Sequence, residues 1–153
     1  MQIHIQTLVK GRYDEVFKAF DENLFKALKP PLLDLKIQRF DGSHRGGEIH
    51  LEIGFLGLSK KWVSVITDEY YGEDENYFID EGLVLPSPLK SWKHSHIVRK
   101  IDNENCYIID QIEFSSGNKI LDFFIYPGLY IQFLLRRPVY KKFFTALMMN
   151  REE

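Results

Sequence analysis

The sequence predicts an α+β fold, a curved antiparallel sheet of about six or seven strands wrapped around a long C-terminal helix. Two short helices are expected after the first strand. Three observations lead there. Apolar and polar residues alternate through most of the chain after Pro31, a helical period occupies Tyr13 to Leu28, and a longer apolar helix follows Asn118. A strongly curved sheet leaves a space that one helix fills only with large side chains or with a ligand.

The elements follow in order. Ile3, Ile5 and Thr7 alternate with His4 and Gln6 as a half-buried strand, which Gly11 ends. Tyr13, Val16, Phe17 and Phe20, then Leu24, Phe25 and Leu28, recur at helical spacing. Asp21 is placed to cap the second helix, and Lys29-Pro30-Pro31 stops it because proline cannot continue the ladder. Strands are expected through Leu33, Leu35, Ile37 and Arg39, then Ile49 to Phe55, Trp62 to Asp68 and Tyr77 to Leu83. Turns fall at Asp41-Gly42-Ser43, at Gly57 and at Gly72-Glu73-Asp74-Glu75. Trp92 to Ile101 and Cys106 to Phe114 read as a hairpin through Asp102-Asn103-Glu104-Asn105. Asn118 is the N-cap of the last helix, which Pro127 and Pro138 are expected to kink or break.

Composition narrows the function classes. The 153 residues suit one domain spanning 1–153, and 44% hydrophobic with 27% charged residues is ordinary for a folded protein. The formal charge of −2 argues against nucleic acid, since the densest basic cluster, Arg136, Arg137, Lys141 and Lys142, reads as the solvated end of a helix. Cys106 is the only cysteine, which excludes an internal disulfide and a cysteine zinc cage. The opening residues do not form a signal peptide, so a cytoplasmic location is expected. The Ile120–Leu135 stretch is short of the roughly 20 apolar residues a span needs, and Asp122, Pro127 and Gln132 interrupt it. No stable membrane insertion is expected, although a transient contact with a membrane or a protein stays compatible with so apolar a helix.

Between Pro88 and Phe114 the pattern resembles a known family. Pro88-Leu89-Lys90-Ser91-Trp92-Lys93-His94-Ser95-His96 resembles the P-F-x-x-W-x-H-x-H stretch of a bacterial branch of the START-like, or SRPBCC, superfamily. Phe78-Ile79-Asp80-Glu81-Gly82 is similar to its F-x-D-E-Q element, and Asp110-Gln111-Ile112-Glu113-Phe114 to its D-x-V-x-Y. Gly82 and Leu89 depart from that pattern, as does Ser115-Ser116-Gly117 where Pro-Phe-Gly is usual. The order of elements extends the resemblance over nearly the whole chain. It implies a helix-grip fold and a small hydrophobic ligand, such as a lipid, isoprenoid or aromatic metabolite, held between sheet and helix by a binding or carrier protein. It also admits a polyketide cyclase/dehydratase-like enzyme, and the apolar C-terminal helix admits a module for membrane or partner association.

Period-two spacing selects the residues that carry chemistry. Trp92, His94, His96 and Val98 share one strand face, and Asp110, Ile112 and Phe114 share a face of the next strand. If those faces coincide, two imidazoles and a carboxylate meet. They would form a satisfied polar network, orient a ligand, or supply acid–base chemistry, with His94, His96 and Asp110 as the catalytic candidates. A metal would use the H-x-H pair with Asp110, Asp80 or Glu81, but no resident metal and no cofactor is assigned. Trp62, Ile66, Phe78, Trp92, Phe123, Phe124 and Tyr130 complete the expected ligand-binding wall, with core packing as the alternative for each. His4, His44 and His50 are expected at surface or turn positions.

Overall fold

The computed structural model describes residues 1–31 and 33–150, with residue 55 through its backbone alone. The expected domain end at residue 153 lies outside the described residues. Strand β1 (Gln2–Lys10) has a strict two-residue burial period, with Ile3, Ile5, Thr7 and Val9 facing inward. Gly11 then turns the chain at φ 127°, a conformation that a side chain would resist.

Helices α1 (Tyr13–Lys18) and α2 (Glu22–Ala27) follow. Asp21 caps α2 as expected, accepting from Asn23 N at 2.9 Å and Leu24 N at 3.0 Å. The two helices carry the chain across to the opposite edge of the sheet. There the strands run in sequence as β2 (Asp34–Phe40), β3 (Glu48–Phe55), β4 (Leu58–Tyr71), β5 (Glu75–Val84), β6 (Ser91–Lys100) and β7 (Asn105–Ser115). The spatial order is β1-β7-β6-β5-β4-β3-β2, with every neighbouring pair antiparallel. The sheet curls into a half-barrel.

One departure from the sequence reading has a clear cause. A bulge between Ile37 and Arg39 shifts the phase of β2, so Phe40 turns inward and Arg39 stays outside with Asp41 and Glu48. The C-terminal helix is two helices, α3 (Lys119–Leu134) and α4 (Arg136–Met149), joined at Leu135. Pro138 explains the joint. It has no N–H for the carbonyl four residues back, that of Leu134, and its ring crowds that carbonyl. Pro127 lies within α3 and does not end it.

Asn118 caps α3, accepting from Ile120 N at 2.9 Å and Leu121 N at 3.3 Å. The buried Asp122 carboxylate accepts from Ser116 N at 2.6 Å and Ser115 Oγ at 3.1 Å, tying the first turn of α3 to the end of β7.

Two apolar clusters fill the half-barrel. One gathers Val16, Leu24, Ile66, Phe78, Tyr140 and Phe144, and the other Ile3, Trp92, Ile112, Phe114 and Phe133. Trp62 packs against both, with its ring 5.0 Å from Trp92 in an edge-on arrangement.

Cys106 has no exposed surface, and burial, with the charge of Asp102, pushes its thiol up to about 12. Native protein at pH 8 is therefore expected to resist iodoacetamide that labels the urea-unfolded chain within minutes. Mass spectrometry reads the result, and equal labelling rates in the two states would contradict the burial.

Candidate functional site

The site is set by strand register. Asp80 of β5 lies opposite His94 of β6, and His96 of β6 lies opposite Asp110 of β7. Period two then puts all four side chains on the inner face of the sheet. His94 Nε2 is 2.9 Å from Asp110 Oδ1, and His96 Nε2 is 2.8 Å from Asp80 Oδ2. A carboxylate only accepts, so both rings donate from Nε2, and the neutral His94 ring keeps a lone pair on Nδ1. His94 Nδ1 faces Asp80 Oδ2 at 3.6 Å.

Helix α4 closes the corner from above. Tyr140 donates to Asp110 Oδ1 at 3.4 Å, and Arg136 lies 4.0 Å from the same oxygen while stacking over the Phe133 ring at 4.1 Å. His96 is sandwiched between Phe78, stacked at 4.3 Å, and His94, at 3.6 Å between ring centroids. Three buried atoms of this network have no partner: His96 Nδ1, Asp110 Oδ2 and Arg136 Nε.

Burial governs the protonation states. It would raise both carboxyls, but the hydrogen bond from His96 and the nearby positive charges hold Asp80 below its ordinary value, and His94 and Arg136 do the same for Asp110. Burial first, then the neighbouring His96, push His94 down to about 4 against the pull of Asp110 and Asp80. Burial and the Asp110 charge push the Tyr140 hydroxyl far up. The corner thus combines two carboxylates, one guanidinium and a neutral His94 at physiological pH.

A cavity of about 270 Å³ opens beside this corner. That is close to the lower end of small-molecule sites, about 300–1,000 Å³. Phe20, Leu24, Phe25 and Leu28 wall it from the helical segment, Leu51 and Trp62 from the sheet, and Phe133 from the joint region. Asp80, His94, His96 and Arg136 form its main polar end.

Trp62, Phe78, Trp92, His94 and His96 line this cavity. Asp110 stands behind His94 and reaches the cavity only through it. Ile66 is packed in the core instead. Phe123 and Phe124 are 65% and 73% exposed, and Tyr130 is also exposed, so these three expected wall residues face away. Their exclusion follows from the turn of α3, whose inner face is carried by Leu129 and Phe133. Glu81 falls on the opposite sheet face from Asp80, bonded to Thr67, and so leaves the corner.

Arg136 corrects the reading of the basic cluster as solvated: its side chain is only 13% exposed. Period-two spacing within a strand does not point to Arg136 and Tyr140, which reach the corner from the helix that follows the break near Pro138. His4 is on the surface, whereas His50 pairs with Glu48 at 2.6 Å.

The depressed pKa of His94 sets a stability window. Between about 4 and the ordinary value of 6.5 the unfolded chain binds the proton and the folded chain does not. Stability is therefore complete above pH 6.5 and falls as the pH drops toward 4, by on the order of 3 kcal/mol across the window. Asp80, His96 and Asp110 from the sheet, and Arg136 and Tyr140 from α4, are the groups that face this ring. Urea unfolding at pH 7, 5.5 and 4.5 measures the slope, which His94→Gln is expected to flatten. A flat wild-type profile would contradict the assignment.

No protein-family model matches the chain, and no curated protein matches it in sequence. Solved structures do match it in fold. The di-domain aromatase/cyclase BexL of the BE-7585A biosynthetic pathway superposes with TM-score 0.70 and 14% identity over 98% of this chain and 48% of that one. This chain thus spans about half of that di-domain protein. A norcoclaurine synthase point mutant from Thalictrum flavum, in complex with a transition-state analogue, gives 0.67 and 12% over 97% and 96%. A START superfamily protein from Mycobacterium smegmatis gives 0.63 and 9% over 95% and 98%. Identities this low establish the fold alone. With its curled seven-stranded sheet gripping a bent C-terminal helix, the chain has the START-like, or SRPBCC-like, helix-grip fold.

Proposed function

We propose that the protein is an intracellular binding or carrier protein for a small, mostly apolar molecule, a lipid, isoprenoid or aromatic metabolite, held in the cavity between sheet and helices. The observation that carries this reading is an apolar cavity with one polar end, where His96 Nδ1 is buried and has no partner. A buried polar atom without a partner costs about 1–3 kcal/mol, which a polar group of a ligand removes by pairing with it. The apolar walls supply the main attraction and the histidine sets orientation. Structural neighbours named as aromatase/cyclases and as a START protein lend support, since they use the same fold.

Native mass spectrometry of the protein as purified is expected to reveal a bound small molecule lost on denaturation. Leu51→Trp, which places a large ring in the cavity, is expected to weaken binding of the fluorescent hydrophobe ANS at least ~10-fold while leaving the circular dichroism unchanged. Unchanged ANS binding in that variant, with no co-purified mass, would sink the proposal.

A second reading has its own observation. Ile120, Phe123, Phe124 and Ile131 form one exposed apolar face of α3, with Lys119 and Arg137 near its ends. Among the described residues no helix is long and apolar enough to cross a membrane. Such a face favours transient contact with a surface rather than a span. Co-flotation with anionic liposomes is expected to fall when Phe123 and Phe124 are both changed to Asp, and no co-flotation of the parent protein would dismiss a membrane contact.

A further inference from the structure

We propose that Asp80, His94 and His96 form a binding site for one divalent transition metal of the zinc type, opening into the cavity. The inference goes beyond the binding of an apolar molecule and does not depend on it. One ligating atom from each of the three side chains lies within 4.8 Å of the others. Asp80 Oδ2 is 2.8 Å from His96 Nε2 and 3.6 Å from His94 Nδ1. Tetrahedral zinc with bonds of about 2.0–2.1 Å holds its ligand atoms about 3.3 Å apart. The two separations from Asp80 Oδ2 lie within about 0.5 Å of that spacing.

The surroundings favour a cation. His94 gives its Nε2 proton to Asp110, so its Nδ1 lone pair and the Asp80 oxygen are two acceptors facing each other without a proton between. A metal ion placed there converts a repulsion into two bonds. Two buried carboxylates, Asp80 and Asp110, meet one nearby guanidinium, Arg136, leaving one negative charge for a bound cation to offset. His96 is 9% exposed and its Nδ1 has no partner. When Nε2 takes the metal, its proton moves to that Nδ1, so the ring has a place for it.

The outer partner of His94 matches what a metal site needs. The Asp110 carboxylate orients His94 through the other ring nitrogen, the usual support of a ligating histidine, and Tyr140 in turn donates to Asp110. All three proposed ligands border the cavity, which is the route for the ion and leaves a fourth position for water or a ligand oxygen. Two imidazoles with one carboxylate suit zinc, cobalt or iron(II). They offer too few oxygens for calcium and too much nitrogen for magnesium.

The experiment titrates the chelator-treated full chain with Zn²⁺ by calorimetry, and separately with Co²⁺ by visible absorption, with no organic ligand present. Expected are one equivalent of Zn²⁺ and a Co²⁺ spectrum of nitrogen and oxygen ligation without thiolate charge transfer. His94→Ala and His96→Ala should each weaken Zn²⁺ by more than about 100-fold, beyond the 10–100-fold loss expected for the supporting Asp110→Asn. His50→Ala, on another part of the sheet, should change nothing. Because the buried variants can lose the fold, ¹⁵N resonances of the wild-type histidine rings provide a second measurement, with Zn²⁺ shifting His94 and His96 and sparing His4. No stoichiometric uptake by the wild type overturns the site, and so does uptake that leaves the His94 and His96 resonances unmoved.

Discussion

Asp80, His94, His96 and Asp110 lie inside a mostly apolar half-barrel, and the arrangement around them is dictated by the cost of burying their charges. Adjacent strands hold them in register, so each imidazole reaches a carboxylate across one strand spacing. A slip of one residue between β5 and β6 would send Asp80 to the outer face and bring Glu81 in. Arg136 and Tyr140 complete the network from above, which ties the position of α4 to the chemistry of the sheet.

The break at Leu135 is therefore more than a local defect. An uninterrupted helix would continue the direction of α3 and carry the guanidinium elsewhere. The bend lets α4 pack along β1 and seat Tyr140 and Phe144 in the core, while α3 covers Trp92 with Phe133. The cavity lies under this bend, between Phe133, the α2 segment and the middle strands. Apolar walls, a polar end and the helix joint are consequences of one packing solution.

That solution leaves an imbalance. Most polar atoms at the corner are matched, yet His96 Nδ1, Asp110 Oδ2 and Arg136 Nε are not. Native cores rarely tolerate unpaired buried groups without use. His96, which carries the first of them, is one of the residues that line the cavity.

Much of the sheet and half of the site were legible in the sequence. Period two identified Trp92, His94 and His96 as one face and Asp110 as part of another, and the strand pairing joined those faces. Asp21 and Asn118 were recognisable caps because their side chains bond amides two and three residues away. Such signals are local, and local chemistry survives any tertiary arrangement. What lay beyond reach depended on relative placement. The bulge at Ile37/Arg39, the choice of Asp80 over Glu81, and the exposure of Phe123 and Phe124 follow from how elements pack. The sequence by itself determined which residues alternate, cap and turn, whereas tertiary structure alone decided that Arg136 and Tyr140 descend on the histidines, because only the packed sheet and the bent helix bring residues so far apart in the chain to a shared charge.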